Sequence, residues 1–174
     1  MKDNLFSDNK YKELVSKLKF YDKEYPDKDE FVLAKITNYE EQGICCYLNE
    51  YKAEAMLSFK DASSSKRLKN IKKQVKKGGS YILSVILVDD KKGFIDLEKR
   101  SIENKDEVEY EELIQFYERV FNLFVKAYYI NNPDCDINDV KAFLKNTLWR
   151  EDPKELKSVY DQPEYAKIQG RMRR

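Results

Sequence analysis

The sequence predicts an α+β protein, a small closed barrel of five short strands followed by a helical module. Between Glu30 and Lys99, short runs rich in β-branched and aromatic residues alternate with polar turns. After Ser101 the apolar residues recur instead at helical spacing. Strands this short need their edges covered, and closure into a barrel covers them.

Residues 1–27 are polar and charged and read as an extension with one short helix, where Tyr11, Leu14, Val15 and Leu18 recur at helical spacing. Phe20, Tyr21 and Tyr25-Pro26 lead into a first strand over residues 31–36. Gly43 follows a polar turn and opens a second strand, residues 44–48. After Asn49-Glu50-Tyr51, residues 53–59 read as a third. A long basic stretch separates it from the fourth, residues 81–88, where β-branched residues are densest. Residues 89–93 form a turn in which Gly93 suits positive φ, and residues 94–97 close the set. Five short strands with one long excursion between the third and fourth fit a barrel of the OB type over residues 28–101.

The helical module is expected over residues 102–174. Leu113, Phe116, Tyr117, Val120, Phe121, Phe124 and Tyr128 fall on one face of a helix over about residues 109–130. Glu107, Glu109, Glu111 and Glu112 lie before and in its first turn, where the helix dipole favours them, and Asn131-Asn132-Pro133 ends it. Asp136 caps a second helix carrying Ile137, Val140, Phe143 and Leu144. Asp152-Pro153 opens a third, with Leu156, Val159 and Tyr160 expected inward. Gln162-Pro163 starts a further segment that stops at Arg174 without apolar closure, as a chain continuing into another domain would.

Composition excludes several classes of chemistry. The formal net charge is +1 although 37% of the residues are charged, so any nucleic-acid contact must rest on a local patch. Histidine is absent, which removes imidazole bases and Ser-His or Cys-His nucleophiles. There is no GxxxxGK[ST] phosphate loop and no CxxC pair, so neither a cofactor, a metal nor a catalytic residue is assigned, and the chain is not read as an enzyme. Three cysteines, Cys45, Cys46 and Cys135, suggest no disulfide framework. With no long apolar stretch and no apolar signal region at the start, the expected setting is the cytoplasm, away from membrane.

The patch is found between the third and fourth strands. Lys66, Arg67, Lys69, Lys72, Lys73, Lys76 and Lys77 stand in residues 64–78 with no acidic residue among them. Leu68, Ile71 and Val75 recur at helical spacing, so an apolar stripe can hold the segment to the barrel while the cations face water and phosphates. Ser63, Ser64 and Ser65 precede it, where a phosphate would set nearly two negative charges beside the cations. Phe31, Tyr47, Phe59, Tyr81 and Phe94 either stack bases or, as such aromatics more often do, fill the core.

Residues 93–100, Gly-Phe-Ile-Asp-Leu-Glu-Lys-Arg, resemble the Gly-Tyr-Ile-Asp-Leu-Ser-Lys-Arg segment of the alpha subunit of eukaryotic translation initiation factor 2. Residues 68–78 are similar to that family's basic helix, and residues 143–149, Phe-Leu-Lys-Asn-Thr-Leu-Trp, to its Leu-Phe-Gln-Arg-Thr-Ala-Trp. The resemblance implies an S1-type OB barrel with a helical domain, in a complex that carries initiator methionyl-tRNA to the small ribosomal subunit. Implied partners are the beta and gamma subunits, the guanine-nucleotide exchange factor and stress kinases. The regulatory serine falls at Ser64, with Ser63 and Ser65 as alternates, and Gly93, Phe94, Ile95, Asp96 and Leu97 correspond to the kinase-docking surface. The sequence departs from the family at Ser65, where an arginine would stand, and at Ile82, where the family's barrel cysteine would stand. The family's gamma-binding domain has no counterpart here, so the gamma contact is expected to be lost. A kinase pseudosubstrate decoy and a general S1-type RNA-binding protein are the alternative readings; residues 143–149 set the chain apart from both.

Overall fold

Alternation of apolar and polar residues closes the first half of the chain on itself. The structure, a computed structural model, describes residues 5–64, 66–99 and 102–162. Five strands, β1 (Phe31–Tyr39), β2 (Ile44–Leu48), β3 (Ala53–Leu57), β4 (Ser80–Asp89) and β5 (Phe94–Glu98), form a closed barrel in the order β1-β2-β3-β5-β4. Every neighbouring pair is antiparallel except β3 and β5, which run parallel. Strand side chains point alternately to opposite faces. Val32, Ala34, Ile36, Ile44, Cys46, Leu48, Leu57, Leu83, Val85, Ile95 and Leu97 therefore fill the interior. Irregularities between Ile36 and Asn38 and between Val85 and Leu87 shift the register of β1 and β4, as barrel closure commonly requires. The closed barrel of OB type expected from the strand count is the one observed.

Two glycines are needed where they stand. Gly93 adopts φ 67° in the β4–β5 turn, a left-handed conformation that disfavours other residues. A Cβ on Gly43 would lie 2.9 Å from the carbonyl oxygen of Leu57, so β2 can approach the end of β3 only without a side chain there.

The third predicted strand ends early. Residues 59–62 leave the sheet as a short helix, α2 (Phe59–Ala62), because Ser58 caps it by accepting the Asp61 N–H at 3.3 Å. The five aromatics assigned to the barrel also differ from the core default. Phe31, Tyr47, Phe59 and Tyr81 are half-buried and Phe94 is exposed, while the fully buried aromatic is Tyr51. A five-stranded barrel has too narrow an interior for many rings and is filled by aliphatic residues.

The chain divides into two compact units, Lys19–Glu111 and Met1–Leu18 with Glu112–Arg174. The second unit holds α1 (Asn9–Lys17), most of α4 (Asn104–Asn131), α5 (Ile137–Asn146), a 3₁₀ turn (Leu148–Arg150) and α6 (Pro153–Tyr160). Asp136 and Asp139 cap α5 reciprocally, the Asp139 N–H donating to Asp136 at 2.9 Å and the Asp136 N–H to Asp139 at 3.0 Å. Leu14, Leu18, Ile114, Tyr117, Phe121, Val125, Tyr129, Val140, Leu144 and Leu148 are buried. Within this unit the Tyr11 ring lies 5.0 Å from that of Tyr129, and the Lys10 ammonium donates to the Pro133 carbonyl at 2.8 Å. The face of α4 is the expected one only in part. Phe116, Tyr117 and Phe121 are buried as expected, but Leu113, Val120, Phe124 and Tyr128 are only half-buried, and Ile114, Val125 and Tyr129 take the interior in their place. Val159 and Tyr160, expected inward on α6, are exposed, although the Tyr160 ring rests 4.9 Å from that of Phe116. The segment expected from Gln162-Pro163 onward lies outside the described residues. Among the described residues no helix is long and apolar enough to cross a membrane.

Candidate nucleic-acid interface

The excursion between β3 and β4 carries two helices, α2 and then α3 (Leu68–Gln74). It is fastened at both ends. The Lys99 N–H donates to the Asp61 carbonyl at 2.9 Å, tying α2 to the end of β5. Beyond α3, the Gly78 N–H donates to the Ile36 carbonyl and the Ile36 N–H to the Gly79 carbonyl, both at 2.9 Å. Ile71 and Val75 are buried and join the barrel core. Leu68, the first residue of α3, is 47% exposed, so the anchoring stripe is one residue shorter than the sequence pattern suggests.

Two tyrosines brace the segment. The Tyr39 hydroxyl donates to the Val75 carbonyl at 2.7 Å and accepts the Lys77 N–H at 2.9 Å. The Tyr81 hydroxyl accepts the Lys76 N–H at 2.9 Å. The same two rings carry cations, with the Lys72 ammonium 5.0 Å from the Tyr39 centroid and the Lys99 ammonium 5.0 Å from that of Tyr81. The Lys77 ammonium lies 3.5 Å from the Asn38 side-chain oxygen. All seven cations of the excursion, Lys66, Arg67, Lys69, Lys72, Lys73, Lys76 and Lys77, are exposed. A short helix pinned by its apolar side therefore carries Lys69, Lys72 and Lys73 at i, i+3 and i+4 toward solvent, with further exposed cations before and after it, an arrangement that suits a phosphate backbone.

The serines that precede it differ in access. Ser63 is buried, Ser64 is exposed, and Ser65 lies outside the described residues. Along β5 the five residues assigned to docking separate by strand alternation. Ile95 and Leu97 point into the core, which leaves Gly93, the exposed Phe94 and the half-buried Asp96 on the outside. Burial, and then the neighbouring Asp61 carboxylate, raise Asp96 above the usual carboxylate range. Burial also pushes the Cys46 thiol up to about 12, which keeps it protonated at neutral pH.

Two features escaped the sequence reading. Tyr39 sits at the polar end of β1, past Thr37-Asn38, where nothing marks it as a brace. Glu50 stands in a polar turn between β2 and β3 yet is 1% exposed and is held by Tyr21, Tyr110 and the Leu33 N–H. Its one sequence signal is the pair of apolar neighbours, Leu48 and Tyr51, that flank the turn.

No protein-family model matches the chain. Eukaryotic translation initiation factor 2 subunit 1 of Plasmodium berghei is 30% identical over 94 residues, 54% of this chain and 29% of that protein. The crystal structure of the intact alpha subunit of the archaeal factor from Pyrococcus abyssi matches 85% of this chain and 52% of its own, with a TM-score of 0.58 at 25% identity. The chain is similar to the alpha subunit of initiation factor 2. A structure of the a/eIF2alpha–aDim2p–rRNA complex from Pyrococcus horikoshii OT3 gives a TM-score of 0.53 at 29% identity, over 58% of the alpha-like chain and 60% of that one. The alpha-like chain spans under a third of the length of the curated relative it matches.

Proposed function

We propose that the alpha-like chain acts in translation initiation as a cytoplasmic, non-enzymatic, RNA-facing regulatory subunit, contributing to delivery of initiator methionyl-tRNA to the small ribosomal subunit alongside beta and gamma subunits. The observation that carries this reading is the run of seven exposed cations on an excursion anchored by Ile71 and Val75 and braced by Tyr39 and Tyr81. Counterion release from RNA phosphates would supply the affinity, largely independent of sequence. Photo-crosslinking of initiator tRNA to the chain, with mass-spectrometric mapping of the crosslinked peptides, is expected to place RNA on residues 66–77. Crosslinks that avoid these residues would overturn the reading.

Regulation is proposed at Ser64, the exposed serine of the described pair. A phosphate there adds close to two negative charges and three strong acceptors next to seven cations, enough to reorder the excursion or to create a surface for a guanine-nucleotide exchange factor. Gly93, Phe94 and Asp96 are the residues of the β5 segment exposed enough to receive a stress kinase. Incubation with an initiation-factor stress kinase is expected to place phosphate on Ser64. Absence of incorporation at Ser63, Ser64 and Ser65 would remove the regulatory site.

A further inference from the structure

Among the described residues, the most deeply buried charged side chain belongs to Glu50, which takes no part in the cationic surface. Its Oε1 accepts the hydroxyl protons of Tyr21 at 2.8 Å and Tyr110 at 2.7 Å. Its Oε2 accepts the Leu33 N–H at 2.8 Å. Three parts of the Lys19–Glu111 unit meet on this one carboxylate: the stretch before β1, β1 itself and the first turns of α4, where the Tyr110 ring also lies edge-on to Phe31 at 6.0 Å. We propose that Glu50 is a proton-operated latch, which holds the first turns of α4 on the barrel when ionised and loosens that hold when protonated.

The direction follows from the hydrogen-bond inventory. All three partners donate, and an ionised carboxylate only accepts, so the charged form satisfies every one of them. A proton on Oε1 must itself be donated. One phenol then has to turn from donor to acceptor, and its own hydrogen loses its partner. A proton on Oε2 can take the lone pair that the Leu33 N–H leaves free, but none of the three partners offers it an acceptor, and the neutral oxygen accepts the Leu33 N–H more weakly. Protonation therefore breaks one of these bonds or weakens all three, because each loses its charged acceptor.

Burial pulls the other way. Removal of the charge from water is the largest influence on Glu50 and lifts its carboxyl from 4.5 to about 7, against the lowering effect of the Leu33, Tyr110 and Tyr21 bonds. The neighbouring Glu30 carboxylate adds to the rise. Glu30 itself accepts from the Tyr51 hydroxyl, from the Lys23 ammonium at 3.0 Å and from the Asp27 N–H at 2.9 Å. Burial holds the Tyr51 and Tyr110 phenols well above their ordinary values, so neither phenol ionises near neutrality.

Two consequences run in opposite directions. The folded chain binds the Glu50 proton more tightly than the unfolded chain does, so the global stability this group contributes is fullest below about 4.5 and is lost as pH rises through about 7. Over the same rise the local hold on Tyr110 tightens, because the Tyr110 bond lowers the Glu50 carboxyl and its loss, with the carboxyl still enclosed, would raise it further. A merely buried acid would show the first trend without the second.

The test follows the full chain from pH 5 to 8.5 by NMR of carboxyl-labelled glutamate and by hydrogen exchange. The Glu50 carboxyl carbon is expected to titrate with a midpoint near 7. Protection of the amides of residues 108–111, corrected for base catalysis, is expected to fall about three- to tenfold below that midpoint, the loss of one hydrogen bond's worth of restraint. In Glu50→Gln the protection should stay at its low-pH level throughout. If that variant fails to fold, Tyr110→Phe serves in its place. With one donor gone, the midpoint should rise by about half a pH unit or more, and the pH dependence of protection should vanish. A Glu50 midpoint below about 5.5, protection flat with pH in the parent chain, or a midpoint unmoved by Tyr110→Phe would each overturn the latch.

Discussion

Reversal of Lys69, Lys72 and Lys73 to glutamate together is expected to weaken binding of initiator tRNA by on the order of 10- to 100-fold at physiological salt. The three lysines lie on α3, all exposed, on a segment whose apolar side is occupied by Ile71 and Val75. Each cation that meets a phosphate releases roughly one counterion, so the slope of log affinity against log salt should fall by about two to three. The fold should survive, because solvent-facing charges of this kind change stability by no more than about half a kcal/mol each. Lys72 also loses its position over the Tyr39 ring, which adds about 0.5–1 kcal/mol at most for an exposed pair. Filter binding across a salt series, with circular dichroism to check the fold, measures both quantities. Unchanged affinity together with an unchanged salt slope would place the RNA elsewhere.

The same segment marks what the sequence carries plainly and what it does not. The fourth strand is evident because β-branched residues crowd residues 81–88, and the turn that follows needs Gly93 at positive φ. Period two along Phe94-Ile95-Asp96-Leu97 already implies that Ile95 and Leu97 point opposite to Phe94 and Asp96, so a docking surface of five consecutive residues was never compatible with a strand. The end of β3 is less readable. Residues 53–59 are apolar enough to continue as strand, and what stops them is the Ser58 cap, whose preference for a helix start competes with β propensity over only two residues. Glu50 is hardly legible beyond its apolar neighbours Leu48 and Tyr51. A glutamate in an Asn-Glu turn belongs by default in water, and its burial depends on Tyr21 and Tyr110, 29 and 60 residues away in sequence. Of the candidate interface, the cations were legible because their density depends on no contact, whereas the tyrosines that brace them were not, because their role exists only once β1 and β4 lie beside α3.

Replacement of Phe121 by alanine is expected to cost about 3–5 kcal/mol, against less than about 0.5 kcal/mol for Leu123→Ala. The contrast tests which face of α4 is inside. Along this helix apolar residues come in adjacent pairs, Leu113-Ile114, Phe116-Tyr117, Val120-Phe121, Phe124-Val125 and Tyr128-Tyr129. Each pair spans about 100° of arc, so helical periodicity fixes a broad apolar sector and leaves its centre undetermined by about one residue. Packing decides it. Phe121 is 1% exposed, beside Tyr117, Val125 and Tyr129 on the same stripe, whereas Leu123 is 66% exposed. Truncation of Phe121 leaves a cavity among side chains that are themselves fully buried, and close-packed interiors collapse only partly into such a space. Trp149, the single tryptophan, belongs to the same unit, and its fluorescence in a urea titration reports the unfolding of that unit directly. Midpoints lowered equally by the two substitutions would mean that Leu123 is packed as closely as Phe121, and the core described for the helical unit would have to be redrawn.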